Sequence, residues 1–325
     1  MPSAATPRTC APAPSRGRRI PTERPGPRPG RPAEPVTALL LLLPALALLL
    51  LAACWWGSDI ILHPPKMLPN VVFPEQFGLP HEKISFRTDD GLTLRGWIIP
   101  ASFPTPRSLF LCHGWGDNKG DILRRFHFLA DRYNLFCFDS RGHGESDGTF
   151  TTIGHLEAVD FEAALRFLKE ARPAWVERLG LIGLSMGAAM GIHGMARHPE
   201  FRCAVLESPF RSVERVVHQF SATHYHLPYF PFTWLTLRIL RLRLGADPEP
   251  TSPIYHIAGA SGRPLLFIAG ELDALMPLSE VQALHAAARD PKSLWVVPGA
   301  GHGACQETAG DEYARRIREF FDAHL

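Results

Sequence analysis

The sequence predicts an α/β domain with a mostly parallel central sheet and helices on both faces. Three observations predict it. Short runs at 107–112, 134–139, 179–182, 203–206 and 264–269 are largely apolar, as strands buried on both faces are. The stretches between them include helical spacing, as in Leu156, Val159, Ala163, Ala164 and Phe167 within 151–172. Several runs end in glycine-rich turns, among them Gly183-Leu184-Ser185-Met186-Gly187. Strands alternating with helices imply parallel pairing by crossover connections.

The N-terminal part has a different character. Residues 1–35 hold ten prolines, seven arginines and two acids, Glu23 and Glu34, a composition that cannot bury a core and predicts disorder. Residues 36–56 follow without a charge and would form a helix about 31 Å long, enough to span a bilayer. Pro44 is tolerable in such a helix, and Trp55-Trp56 suits the interface at its end. The arginines before the span place the N-terminus on the cytoplasmic side and the larger C-terminal part outside. Leu51-Ala52-Ala53-Cys54 also resembles the lipobox of bacterial lipoproteins, acylated at Cys54. A cleaved signal peptide and secretion is the third reading, and residues 1–35 could be an over-extended start.

The formal net charge is +2, of which residues 1–35 contribute +5, so the remainder is near −3. Nothing in that balance points to nucleic acid. No repeat, Walker loop or zinc-type cysteine pair is present, and no organic cofactor or metal is implied. Cys112 and Cys137 fall inside apolar runs and read as core residues rather than disulfide partners. This pulls against an oxidising compartment.

Taken in order, residues 57–80 are punctuated by prolines and predict a linker, and residues 81–325 predict the folded domain. Residues 84–88 and 92–99 alternate around Asp89-Asp90-Gly91 and predict a hairpin. The run at 107–112 ends in His113-Gly114-Trp115-Gly116, followed by a helix over about 121–132 and the strand at 134–139. A helix over 151–172, a strand to Ile182 and a helix over 186–197 come next. Residues 210–262 then break the alternation with an aromatic-rich stretch including Phe220, Tyr225, Tyr229, Phe230, Phe232 and Trp234. Beyond the strand at 264–269 lie a helix over 278–289, a strand over 293–297 and a closing helix over 307–324.

Gly-x-Ser-x-Gly between a strand and a helix predicts a strained turn that lifts the Ser185 hydroxyl above the sheet. Glycines at the end of the 107–112 strand can expose backbone N–H groups, and those of Trp115 and Met186 are the predicted oxyanion donors.

His-Gly-x-Gly at 113–116, Asp-x-Arg-Gly-x-Gly-x-Ser at 139–146 and Gly-x-Ser-x-Gly at 183–187 together resemble the α/β-hydrolase superfamily. Within it the likeness is to membrane-anchored bacterial hydrolases and to serine aminopeptidase-like and monoacylglycerol lipase-like domains. The resemblance implies that residues 210–262 form a cap over the site and that the loop with Arg141 and His143 is structural. It also implies that Asp273, in Gly-x-x-Asp-x-x-x-Pro, is the triad acid and that His302, in Pro-Gly-Ala-Gly-His-Gly, is the catalytic histidine.

Ser185, Asp273 and His302 stand in the chain order that such a triad requires. Glu207 is an alternative acid and Glu271 a weaker one. His218, His224 and His226 lack a carboxylate or cysteine at ligand spacing, so a metal site is not expected there. The implied activity is a serine hydrolase on esters or lipid-like small-molecule acyl substrates. An aminopeptidase or thioesterase on the same residues, and a non-catalytic scaffold, are the alternatives. Nothing in the sequence fixes the oligomeric state.

Overall fold

The computed structural model describes residues 35–64 and 71–325, together with residues 10, 11 and 26. The disorder expected for 1–35 and the middle of the expected linker, 65–70, therefore fall largely outside the described residues. The chain divides into two units, Met1–Ala47 and Leu48–Leu325.

The first unit holds the start of helix α1 (Pro35–Leu62), 28 residues with Pro44 inside it. Its stretch Leu39–Leu62 contains an 18-residue window of mean hydropathy 2.5 and is long and apolar enough to cross a membrane. At 28 residues the helix is about 42 Å long, more than the ~30 Å hydrocarbon thickness requires. The helix continues past the expected boundary at Trp56, and Gly57–Leu62, expected as linker, form its last turns.

In the second unit eight strands form one sheet in the order β1-β2-β4-β3-β5-β6-β7-β8. They are β1 (Glu82–Arg87), β2 (Thr93–Ile99), β3 (Arg107–Cys112), β4 (Asn134–Phe138), β5 (Arg178–Leu184), β6 (Phe201–Glu207), β7 (Leu265–Gly270) and β8 (Lys292–Val297). β1, β2 and β4 pair antiparallel, and every pair from β4 through β8 is parallel. The connections change direction between β3 and β5, so the crevice at the carboxyl ends of those two strands is the place where such a sheet receives ligands.

Two apolar layers cover the sheet. On one face Phe110, Phe136 and Leu181 pack under α3 (Glu157–Ala171), α5 (Met186–Arg197), α8 (Pro253–Ala260) and α9 (Leu278–Ala287). On the other, Leu109, Leu111 and Ile182 pack under α2 (Lys119–Phe126) and the last helices, α10 (Cys305–Ala309) and α11 (Asp311–His324). The short α4 (Pro173–Val176) leads into β5, while α6 (Val213–Tyr225) and α7 (Trp234–Leu244) lie between β6 and α8.

Several boundaries differ from the sequence expectation for local reasons. Helix α2 starts at Lys119 because the Asn118 side chain accepts from the amides of Gly120 and Asp121, while Asp121 accepts from the Asn118 amide. Helix α3 starts only at Glu157, whose buried carboxylate accepts from both Thr151 and Thr152 hydroxyls and from the amides of Thr152 and Gly154. Those bonds hold 151–154 as a loop, with Ile153 at φ 55°. The stretch expected as a cap, 210–262, ends inside the core. Its last helix, α8, places Ile257 and Ala260 in the main core against α5. The closing helix breaks at Gly310, φ 55°.

Candidate active site

Ser185 sits between β5 and α5 with φ 52° and ψ −114°, a conformation strained for any residue with a side chain. Its neighbours explain how the strain is held. A Cβ on Gly187 would lie 2.1 Å from the Cys112 carbonyl oxygen and 2.6 Å from that of His113; one on Gly183 would lie 2.5 Å from the Ala188 Cα. Only glycines let α5 approach β3 and β5 this closely. The Ser185 amide donates to the Glu207 carbonyl at 2.8 Å, and the Ser185 carbonyl accepts from the amides of Ala188 and Ala189. Met186 is the first residue of α5, where the amide has no intrahelical acceptor and faces the positive end of the helix dipole.

Asp273 lies in the loop after β7, its side chain wholly buried. One carboxylate oxygen accepts from the amides of Leu275 (3.1 Å) and Met276 (2.7 Å). The other accepts from the Ser208 hydroxyl at 3.0 Å and from His302 Nδ1 at 2.8 Å. Because a carboxylate only accepts, Nδ1 carries the proton in that bond, which leaves Nε2 of the neutral ring as the basic atom. The His302 loop is tied down on two sides. Glu271 accepts from the Gly299 amide at 2.9 Å, and Arg125 of α2 donates to the Gly303 carbonyl.

The third segment is the loop after β3. A Cβ on Gly114 would sit 3.7 Å from the Ser185 Cβ, so this loop runs beside the serine. His113 receives the Ser140 amide on Nε2 (2.9 Å) and donates from Nδ1 to the Gly114 carbonyl (2.7 Å). His143 receives the Gly116 amide on Nε2 (3.1 Å) and donates to the Arg141 carbonyl. Burial, reinforced by His113, pushes the His143 pKa down to about 4. Both histidines thus serve as neutral backbone anchors. Beneath them Lys119, wholly buried, contacts Asp139 and Glu145 at 2.5 Å each, and Arg141 is paired with Asp160 and Asp90.

Ser185, Met186, His302 and Trp115 line one apolar cavity, together with Phe210 and Phe220. The structure pairs His302 with Asp273, whereas the Glu207 side chain receives the Tyr313 hydroxyl and its carboxyl is pushed up by burial. Glu271 bonds the Gly299 amide instead. His218 and His224 have separate partners, the Thr233 hydroxyl and the Phe220 carbonyl, and His226 caps α6 in the left-handed region. Two contributors escaped the sequence reading. Ser208, in the Glu207-Ser208-Pro209 strand end, supports Asp273 from 65 residues away. Ile61, at the end of α1, lines the cavity, and its carbonyl accepts from Trp115 Nε1 at 3.1 Å.

The sequence profile of the family described as serine aminopeptidase, S33, matches residues 104–250. An uncharacterized protein of Mycobacterium tuberculosis is 33% identical over 238 residues, 72% of this chain and 76% of the relative. The uncharacterized protein YqkD of Bacillus subtilis is 28% identical over 240 residues, 71% of this chain and 76% of its own. Among solved structures, an esterase of Pyrococcus furiosus superposes with a TM-score of 0.69 at 26% identity, over 82% of this chain and 98% of that one. A bacterial membrane phospholipase A shares the fold, with a TM-score of 0.57 at 19% identity over 89% of this chain and 97% of its own.

Proposed function

Because the chain belongs to the α/β-hydrolase superfamily, we propose that it is a serine hydrolase of carboxylic esters or lipid-like acyl substrates. In this reading Ser185 is the nucleophile, His302 the general base and acid, and Asp273 the residue that fixes the imidazole tautomer. The observation that carries it is the 2.8 Å bond from His302 Nδ1 to the buried Asp273, in a loop beside the same cavity that Ser185 lines.

The reaction follows in two halves. Ser185 Oγ attacks the acyl carbonyl while His302 Nε2 takes its proton; the oxyanion is received by the amides of Trp115 and Met186. His302 then gives the proton to the departing alkoxide, leaving an acyl-enzyme. Water attacks that ester, His302 takes its proton, and the carboxylic acid leaves as the proton returns to Ser185 Oγ. Asp273, held by four converging donors, stabilises the imidazolium.

An ester is favoured over an aminopeptide by the cavity lining. An aminopeptidase needs an acid to hold the substrate's α-ammonium group, and the described residues lining this cavity include no Asp or Glu. Thioesters present the same carbonyl and remain within the reading. We further propose that α1 anchors the chain in a membrane with residues 1–35 on the cytoplasmic side. Against acylation at Cys54, that residue is buried in mid-helix, its thiol directed at the Phe232 carbonyl. A mature chain found to begin at Cys54 by mass spectrometry would overturn the anchor.

The test is labelling of the full chain with a fluorophosphonate, beside Ser185→Ala and His302→Ala. Labelling of the parent alone is expected, with ester turnover in Ser185→Ala lowered on the order of 10⁴–10⁶-fold. Labelling retained in Ser185→Ala would place the nucleophile elsewhere. A folded parent that takes no label would favour the scaffold reading.

A further inference from the structure

A second apolar cavity lies between the end of α1 and the cap. Ala53, Gly57 and Ile60 form its α1 side, and Tyr225, Phe232 and Thr236 its cap side. Two residues, Ile61 and Phe220, line both this cavity and the one that holds Ser185 and His302. The two spaces are neighbours divided by two apolar side chains.

That partition is built on fixed backbone. The Ile61 carbonyl accepts from Trp115 Nε1 at 3.1 Å, and the next carbonyl, of Leu62, accepts from the Thr151 amide at 2.8 Å. One turn earlier, Arg243 bonds Ser58 and Asp59. The Phe220 ring stacks on His224 at 4.4 Å and meets Trp115 edge-on at 5.9 Å. The openings on either side are therefore set by side chains, with the main chain held still.

The second cavity is kept open by a missing side chain. A Cβ on Gly57 would meet only Thr236, at 3.6 and 3.9 Å, so a larger residue could enter and fill the space. Glycine weakens a helix interior, and protein interiors otherwise pack to the density of organic crystals. An unfilled apolar space adjoining a nucleophile suits a flexible apolar chain.

We propose that this cavity is the distal half of the acyl-binding site. The substrate's acyl chain passes from Ser185 between Ile61 and Phe220 and ends against residues 53–60 of α1, so the end of that helix measures chain length. The inference rests on the hydrolase reading above, and its test separates the two.

The probes are a dodecyl fluorophosphonate with a diazirine at the far end of the chain, and a fatty acid of the same length with the same diazirine. Full chain in detergent is labelled with the first and irradiated, and Ser185→Ala is irradiated with the second. Both are expected to cross-link to residues 53–60 or to the facing part of α6. Fatty-acid cross-links at those residues with no fluorophosphonate labelling would keep the chamber and sink the hydrolase reading. Cross-links confined to other segments would sink the chamber.

Kinetics give a second arm. Gly57→Phe is expected to lower the ratio of kcat/KM for dodecanoyl over butanoyl p-nitrophenyl esters by about sixteenfold, two buried methylenes at about fourfold each. Ile61→Ala, which widens the partition and serves if Gly57→Phe does not fold, is expected to raise that ratio. An unchanged ratio in a folded variant overturns the proposal.

Discussion

The sheet edge that carries Ser185 and the end of α1 with the helices of 213–244 are built in opposite ways. Every residue of β7, and all of β5 beyond Arg178, is buried, and the turns above them are fixed by backbone-to-backbone approaches too close for a Cβ. Charges there are enclosed and matched, as in Lys119 with Asp139 and Arg141 with Asp160. Across 213–247 the chain instead presents Phe230, Trp234 and Leu242 to the outside, and ion pairs such as Arg241–Asp247 lie near the surface. The first region cannot shift without losing its contacts. The second is held by side chains that can be repacked. In the proposed reading, acyl transfer needs fixed donors and a fixed imidazole, while accepting chains of different length needs adjustable walls, so each kind of construction would stand where its task is.

The largest expected effect tests the first half of that contrast. Gly187→Ala would put a methyl group 2.1 Å from the Cys112 carbonyl oxygen, a backbone atom that no rotamer change can move. Helix α5 must then retreat from β3, and we expect a loss of about 3 kcal/mol in denaturant unfolding together with loss of fluorophosphonate labelling. In the other region, Gly245 ends α7 at φ 64° with nothing within 4 Å of an added Cβ. Gly245→Ala therefore carries only the left-handed backbone penalty, about 1 kcal/mol. Equal losses at the two glycines would erase the distinction.

The same contrast explains what could be read from the sequence. Strands buried on both faces announce themselves as uninterrupted apolar runs, so β3 to β7 were legible to within about two residues. Asp273 and His302 could be named only through the family resemblance, in Gly-x-x-Asp-x-x-x-Pro and in a glycine-rich loop. What escaped depends on long-range partners. Nothing local in Thr151–Leu156 says that the Glu157 carboxylate will hold it out of a helix. Ser208 gains its role only when β6 and β7 pair and bring it to Asp273. The turns after Trp56 contain Gly57, Ser58 and Asp59 and read as a linker, yet Arg243, 184 residues on, bonds two of them.

An intermediate effect comes from the loop that His143 anchors at Gly116. His143 is pushed down to about 4 in the fold and has its ordinary value near 6.5 when unfolded. Between those values the unfolded chain binds the proton that the folded chain refuses. Stability is therefore complete above pH 6.5 and is lost as pH falls toward 4, by up to about 3 kcal/mol. Protonation at Nε2 also removes the acceptor of the Gly116 amide, so ester turnover should fall in the same window. His143→Gln, with a carbonyl oxygen to take that amide, should flatten the stability slope when denaturant midpoints at pH 5 and 7.5 are compared. An unflattened slope would assign the acid sensitivity to other groups and leave the loop out of it.

The smallest effect probes the other region. Arg243 donates to Ser58 and Asp59 at 2.8 and 2.9 Å, and its guanidinium lies 4.8 Å from the Trp55 ring. Half-exposed pairs of this kind contribute little to global stability, so Arg243→Ala should leave the unfolding midpoint nearly unchanged. Local opening is the sensitive measure, since segments with few buried contacts exchange through small fluctuations. Hydrogen exchange should rise in residues 53–62 and 234–244 and stay constant in β5, β6 and β7. Faster exchange in those strands would mean that the end of α1 and the sheet open as one cooperative unit. The walls of the cavity could then not adjust independently of the residues that carry the chemistry, and the selectivity assigned to them would have to come from the sheet side of the site.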